Sequence, residues 1–279
     1  MHTPVLLDQV IEAMEIKRDG LYVDATFGEG GYSQAILEKG GKVLAIDLDK
    51  DQFSKVLDSR FRGNDIMLVQ GNFGEIEKIA KENDFFPVDG VVFDLGLSMR
   101  QINQSGRGFS FKKLNEPLDM RMNLETEMTA KYILNHFSES ELYEVFAKNS
   151  EEINSQKIAR EIIIKRQFKK LEIVANLINC IDKAMDGQDN NTYKRIFQAL
   201  RIQVNDEFEN LKNGLIGATN IIKEDGKIAV VTFHSLEDRI VKNFSKTGRV
   251  KLLNKKPIMN RRGRSFEKSA KLRILVKNI

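Results

Sequence analysis

The sequence predicts an α/β fold: a parallel sheet covered by helices on both faces and interrupted by an inserted helical domain. Three observations predict it. Near-continuous apolar runs of strand length recur at 21–27 (LYVDATF), 42–49 (KVLAIDLD), 66–73 (IMLVQGNF), 88–98 (VDGVVFDLGLS) and 227–235 (KIAVVTFHS). Runs without alternation suit strands buried on both faces. Short amphipathic segments, SQAILEK, QFSKVLDS and EIEKIAKE, separate the first four, which is the rhythm of a doubly wound sheet. Between 98 and 227 that rhythm stops and helical spacing replaces it.

Within the interruption, Ser138-Glu139-Ser140-Glu141 reads as a capping box opening ELYEVFAK. SQKIAREIIIK and LEIVANLINCIDKAM follow as helices. Ile196, Leu200, Val204, Phe208, Leu211 and Leu215 form one apolar stripe, predicting a single long helix that leads back to the strand at 227. The domain division expected is 1–106 for the first part of the α/β domain, 107–191 for the helical insertion as substrate-recognition domain, and 192–279 for the second part with a basic C-terminal segment.

The chain has 279 residues and a net charge of +4. That balance hides an asymmetry, because 13 Lys/Arg stand against one acid from Lys242 onward. Such an end is a polyanion contact or a solvated tail, and its interleaved Leu252, Leu253, Ile258, Phe266, Leu272, Ile274 and Val276 argue against a purely disordered one. No run approaches the length of a membrane span and no secretory leader pattern opens the chain, so the cytosol is expected. Cys180 is the one cysteine and suggests a packed helix; with three histidines lacking ligand spacing, no metal site is expected.

The stretch Asp24-Ala-Thr-Phe-Gly28-Glu-Gly30-Gly31-Tyr32-Ser33 joins a strand to a helix. A glycine turn there presents backbone N–H groups and a helix N-terminus to a ligand, although a tight turn alone has the same signature and the spacing departs from G-x-G-x-x-G. Asp47, about 20 residues on, is placed to accept hydrogen bonds from a ribose. Phe73 and Asp94 end two further strands, offering an aromatic face for adenine and a second acid. Acids at Asp24 and Asp94 fit a pyrophosphate badly and suit the cationic amino-acid end of S-adenosylmethionine, which favours that cofactor over NAD. At 233–239, Phe-His-Ser-Leu-Glu-Asp-Arg ends the fifth strand: Phe233 could stack on a base and His234 bond it or take a proton, or Ser235 simply caps the next helix while His234 braces the loop.

These segments, with MHTPVLL at 1–7, GRGFSF at 106–111, PLDMRM at 117–122, FQALRIQVNDE at 197–207, FHSLEDRIVK at 233–242 and RSFEKSAKLR at 264–273, resemble the bacterial RsmH family, also called MraW. The resemblance implies a Rossmann-like S-adenosylmethionine-dependent methyltransferase domain with an inserted helical domain. It implies S-adenosyl-L-methionine as cofactor and methylation of the N4 amino group of a cytosine in the decoding region of 16S rRNA, within the small ribosomal subunit. Cofactor contacts carried over are Gly30, Gly31, Tyr32, Asp47, Phe73, Asp94 and Gln101, the last on the resemblance alone. The chain departs from the family in having GGY for GGH and DLGLSMRQ for DLGVSSPQ. It also lacks the Pro-Pro-aromatic sequence that many amino methyltransferases carry after the fourth strand, leaving Ser98 and His234 as the catalytic candidates. Arg107, Phe109 and Arg121 are candidates for an RNA-facing wall, or for a hinge packed by Phe109 and Phe111. Arg261, Arg262, Arg264, Lys271 and Arg273 are the candidate phosphate contacts, with Lys194, Arg195 and Arg201 as additions. A homodimer is left open. An NAD-dependent oxidoreductase and a non-catalytic ribosome assembly factor are the competing readings.

Overall fold

The computed structural model describes residues 4–55, 65–260 and 267–278. The chain forms two compact units, one of 1–96 with 208–279 and one of 97–207.

The first unit carries a mixed sheet. Its strands are β1 (Leu21–Asp24), β2 (Lys42–Asp47), β3 (Ile66–Gln70), β4 (Val88–Asp94), β5 (Ile222–Thr232), β6 (Val250–Leu252), β7 (Ile258–Met259) and β8 (Lys271–Lys277). The order is β3-β2-β1-β4-β5-β8-β6, with β7 also on β8. Strands β1 to β5 run parallel, and β8 is antiparallel to β5 and β6. The five runs read from the sequence are these five parallel strands; every residue of β4 up to Phe93 is buried, as a central strand of a doubly wound sheet requires, whereas the edge strand β3 is only partly buried. β5 begins earlier than its run, with a register shift opposite Val88 and Gly90.

Helices α1 (Leu7–Met14), α2 (Gly31–Glu38), α3 (Ile76–Glu82), α10 (Glu207–Ile221) and α11 (Ser235–Phe244) accompany the sheet. One apolar cluster joins Val23, Leu44, Ile76, Phe93, Leu211, Leu215 and Val230. Another joins Val10, Tyr22, Ile36, Val43, Val92, Ala229 and Leu272. Alternate residues of β4 and β5 thus feed opposite layers. Part of the apolar content of the basic end is explained here, since Leu272, Ile274 and Leu275 are core residues of β8, whereas Leu253 and Ile258 are exposed.

The second unit is helical: α4 (Met99–Gln104), α5 (Ala130–His136), α6 (Glu139–Ser150), α7 (Ser155–Phe168), α8 (Val174–Ala184) and α9 (Asn190–Asn205). The capping box at Ser138 and Glu141 forms as read. Cys180 is buried on α8, and burial pushes its thiol up to about 11. The single long helix does not form. Asp206 adopts a left-handed conformation (φ 49°) that ends α9, and α10 starts afresh at Glu207. Tyr193, Ile196, Phe197 and Leu200 of α9 pack into the helical core, so the observed division falls at 96/97 and 207/208, not at 106/107 and 191/192.

Candidate functional site

Because β1, β2, β4 and β5 are parallel, Asp24, Asp47, Asp94 and the turn after Thr232 all lie at the carboxyl edge of the sheet, where open α/β sheets bind ligands. The glycine turn sits on this edge. Phe27 N–H bonds Ile46 O, and Gly30 N–H bonds Phe27 O. Gly28 and Gly30 have φ of 53° and 78°, conformations glycine adopts without the cost other residues incur. Gly31 answers a different need: a Cβ there would lie 2.2 Å from Pro4 Cγ.

Asp47 fastens the turn to β2. Its Oδ2 accepts from Gly28 N (2.8 Å) and its Oδ1 from Asp49 N (2.8 Å), leaving the second lone pair of each oxygen for a hydroxyl. Asp24 is fully buried and accepts from the Ser33 N–H and hydroxyl (3.2 and 2.6 Å) and from Thr26 N (3.4 Å). It therefore straps α2 to β1 instead of facing a ligand cation, as the sequence suggested. Asp94 is different. Its backbone N–H donates to Thr26 Oγ1 (2.7 Å) and its carboxylate takes the Gly96 N–H, yet Oδ1 is shielded from solvent with no hydrogen bond. Burial raises Asp24 to about 6 and Asp47 and Asp94 to about 7; the Asp24 charge adds to the latter two. A buried carboxylate oxygen without a partner is costly, and a cationic ligand relieves that cost.

Phe73 follows β3, half-buried, in an edge-to-face pair with Phe93 at 5.7 Å. The Tyr32 ring is 3% exposed and its hydroxyl donates to Val5 O at 2.5 Å. That spends the phenol on the segment before α1, so any contact from Tyr32 is through its backbone. Tyr32→Phe should lower stability by about 1 kcal/mol and leave cofactor affinity unchanged; calorimetry showing a large loss of affinity would restore the phenol as a ligand contact.

After β5, His234 and not Ser235 is the N-cap of α11. Its Nδ1 accepts from Glu237 N (3.4 Å), while Glu237 Oε2 accepts from Phe233 N (2.8 Å) and His234 N (3.3 Å). His234 Nε2 is buried 3.0 Å from Glu237 Oε1, at an orientation that makes no hydrogen bond. Phe233 packs over Gly96, where a Cβ would come within 2.6 Å of the ring.

The remaining sequence candidates are placed as follows. Ser98 and Gln101, in the helical unit, form the capping box of α4: Gln101 Oε1 accepts from Ser98 N (2.9 Å) and Ser98 Oγ from Gln101 N (3.1 Å). Gln101 is 7% exposed. Arg107 donates to the carbonyls of Arg121 and Met122, and its guanidinium lies over the Phe109 ring. Arg121 makes a bidentate pair with Asp119 (2.8 Å each) and donates to Leu124 O and Thr126 O. Phe109 is a core residue at 9% exposure. The cation and aromatic mixture at 107–126 is thus a loop clamped on itself, and Phe109 is not available to stack on a base. Asn205 completes it, accepting from Met122 N (2.7 Å) and donating to Met120 O (2.8 Å); a side-chain amide ending α9 gave no sign of this in the sequence.

Arg273 is also corrected. It is 4% exposed and pairs with Asp238 through Nε (2.5 Å) and Nη2 (3.1 Å), which removes it from the set of open phosphate contacts. Lys271 Nζ stands 3.8 Å from the same carboxylate. Arg195 pairs with Glu152 and Arg201 with Glu207; Lys194 is exposed. Arg261, Arg262 and Arg264 lie outside the described residues. Among the described residues no group of His, Cys, Asp and Glu is arranged to hold a metal ion, and no helix is long and apolar enough to cross a membrane.

Comparison with known proteins bears on the family. The model of the MraW methylase family matches residues 1–278. A protein of Dictyoglomus thermophilum named ribosomal RNA small subunit methyltransferase H is 41% identical over 98% of this chain and 96% of its own. One of the same name from Clostridium botulinum (strain Loch Maree / Type A3) is 37% identical over 98% and 97%. A solved rRNA methylase from Streptococcus thermophilus aligns over 100% of this chain and 99% of its own at 9% identity, with a TM-score of 0.48. By its sequence from end to end of that match, the chain belongs to the MraW methylase family.

Proposed function

We propose that the protein is an S-adenosylmethionine-dependent methyltransferase of small-subunit rRNA, acting in the cytoplasm on N4 of a cytosine in the decoding region of 16S rRNA. The observation that carries the cofactor is Asp94 Oδ1, a buried and unpartnered acceptor at the same sheet edge as Asp47 and the glycine turn. These residues fit the group. Asp47 holds the ribose hydroxyls, Phe73 lies against the adenine, Asp94 pairs with the ammonium of the methionine end, and the Gly28–Gly30 backbone lets the ligand approach. NAD is the poorer fit, since Asp94 would meet a pyrophosphate with repulsion. The relatives named above support the rRNA; the cytosine N4 and its place in the decoding region rest on the family resemblance.

When bound, the cofactor supplies a methyl group on a sulfonium, a displacement that demands mainly near-attack geometry and a dry site. The exocyclic amine of cytosine is a poor nucleophile, because its lone pair is delocalised into the ring. Glu237 N donates to His234 Nδ1, which holds the ring in the turn after β5. His234 is kept as a contact that holds the base in position, and the proton that the amine loses passes to water. Ser98 is kept as a contact to the amino group, and Gln101 as a contact to the cofactor. The base must be unstacked to enter.

The test is transfer of labelled methyl to small subunits from cells lacking the activity, with naked 16S rRNA and protein alone beside them, followed by nucleoside analysis. N4-methylcytidine, or its 2′-O-methylated form, is the expected product. No transfer while calorimetry shows cofactor binding would move the assembly-factor reading forward.

A further inference from the structure

The established family and the sheet edge leave one strongly charged surface unused, the outer side of α7. Its segment 157–170 holds six cations, Lys157, Arg160, Lys165, Arg166, Lys169 and Lys170, against the single acid Glu161. At 100° per residue, Lys157, Arg160 and Phe168 fall on one side of the helix, across from the buried Ala159 and Ile162, with Lys165 at the margin of that side next to Ile158. Lys157, Arg160, Lys165, Lys169 and Lys170 are all exposed. The one acid on that side is already taken, because Glu161 pairs with Lys183 of α8 at 2.8 Å. Arg166 belongs to the fold, donating to Leu134 O and Phe137 O.

Phe168 is 83% exposed at the end of this row, set between Arg166-Gln167 and Lys169-Lys170. Water is a poor neighbour for a phenyl ring, whereas a flat aromatic among cations is what single-stranded nucleic acid binds: phosphates meet the charges and an unpaired base meets the ring. An acidic protein partner would satisfy the cations and leave the ring unexplained.

We propose that the outer side of α7 and the Phe168-Lys169-Lys170 segment form an rRNA contact surface, with the lysines and Arg160 on phosphates and Phe168 stacked on an unpaired base. This rests on the reading of the protein as an rRNA methyltransferase. It assigns to the helical unit the phosphate contacts that the clamped Arg107 and Arg121 do not offer.

The experiment measures binding of the whole protein to small subunits across a salt series, beside methyl transfer. Two variants are compared with the wild type: Phe168→Ala, and a fivefold Gln substitution at Lys157, Arg160, Lys165, Lys169 and Lys170. Every changed side chain is exposed, so both fold, and cofactor affinity by calorimetry is the control. For the fivefold variant the slope of log affinity against log salt should shrink by about 0.7–0.9 for each cation that reaches a phosphate. Phe168→Ala should weaken binding by about fivefold to a hundredfold with KM for subunits raised and kcat kept. Unchanged affinity and slope in both variants would overturn the surface, as would a wild type that does not bind subunits, or variants that lower kcat alone. A wild type that binds but transfers no methyl group refutes the enzyme reading, and the variants still decide the surface.

Discussion

Asp94→Asn should make the unliganded protein more stable by about 1–3 kcal/mol at pH 8, while S-adenosylmethionine affinity falls by about 30-fold or more. Both effects have one origin. In the free protein Oδ1 is buried without a hydrogen bond, so the ionised carboxylate is a cost that the neutral amide avoids. On the proposed reading of the site, the same oxygen pairs with the ligand's ammonium in the complex, and the amide forfeits that pairing. The pH dependence follows from the same groups. Asp24, Asp47 and Asp94 sit at about 6, 7 and 7 when folded, against about 4 when unfolded. Between these values the folded state retains protons that the unfolded chain has released. Their contribution is fully present below about pH 4 and is lost as pH rises to about 7. Cofactor affinity should run oppositely, rising through pH 6–8 as the carboxylates ionise, with proton release on binding visible as buffer-dependent heats. Denaturation and calorimetry over pH 5–8 test both slopes, and equal stability at the two ends would refute the burial argument.

Gly108→Ala should cost about 3–4 kcal/mol. The residue has φ +76°, and an added Cβ would lie 2.2 Å from the carbonyl oxygen of Pro117. A left-handed alanine costs about 1–2 kcal/mol, and overpacking against atoms that cannot turn aside adds about 1–3. Backbone relief is blocked by the bonds that close the loop: Gly108 N–H to Glu116 Oε2 at 2.9 Å, Met120 N–H to Arg107 O at 2.8 Å, and Leu118 N–H to Glu172 O at 2.9 Å. Chemical denaturation measures it. A loss under about 1 kcal/mol would mean that the Pro117 peptide moves, and the loop would then be far softer than its hydrogen bonds imply.

The parallel strands were legible because burial on both faces leaves no polar residue to interrupt them; KVLAID and VDGVVFD can hardly be read otherwise. The acids at their ends were legible for the complementary reason, since a carboxylate closing an apolar run needs an explanation. β8 was harder. Its Leu272, Ile274 and Val276 alternate with Arg273, Leu275 and Lys277, a period-two signal submerged in a basic segment. The break at Asp206 was hidden because the apolar stripe runs straight through it, although Asn205-Asp206 is a pair that tolerates left-handed backbone. Charge was the least legible property. Arg107, Arg121, Arg273 and the residues of α7 look alike in the sequence, and only the fold shows that the first three are bonded to its own carbonyls and carboxylates. Phe168 stood in plain view within KRQFKK, the aromatic among cations that also drew attention to Phe109.

The place of β8 has a consequence for biosynthesis. It lies between β5 and β6 in the sheet yet follows both in the chain, so the translating ribosome delivers it after its two neighbours. Until it arrives, the apolar edge of β5, Ile228 to Val231, has no partner on that side. A nascent chain at this stage presents an open strand edge, the form most prone to pairing with another molecule. The final strand therefore closes the sheet and ends the interval in which the newborn protein is most exposed to aggregation.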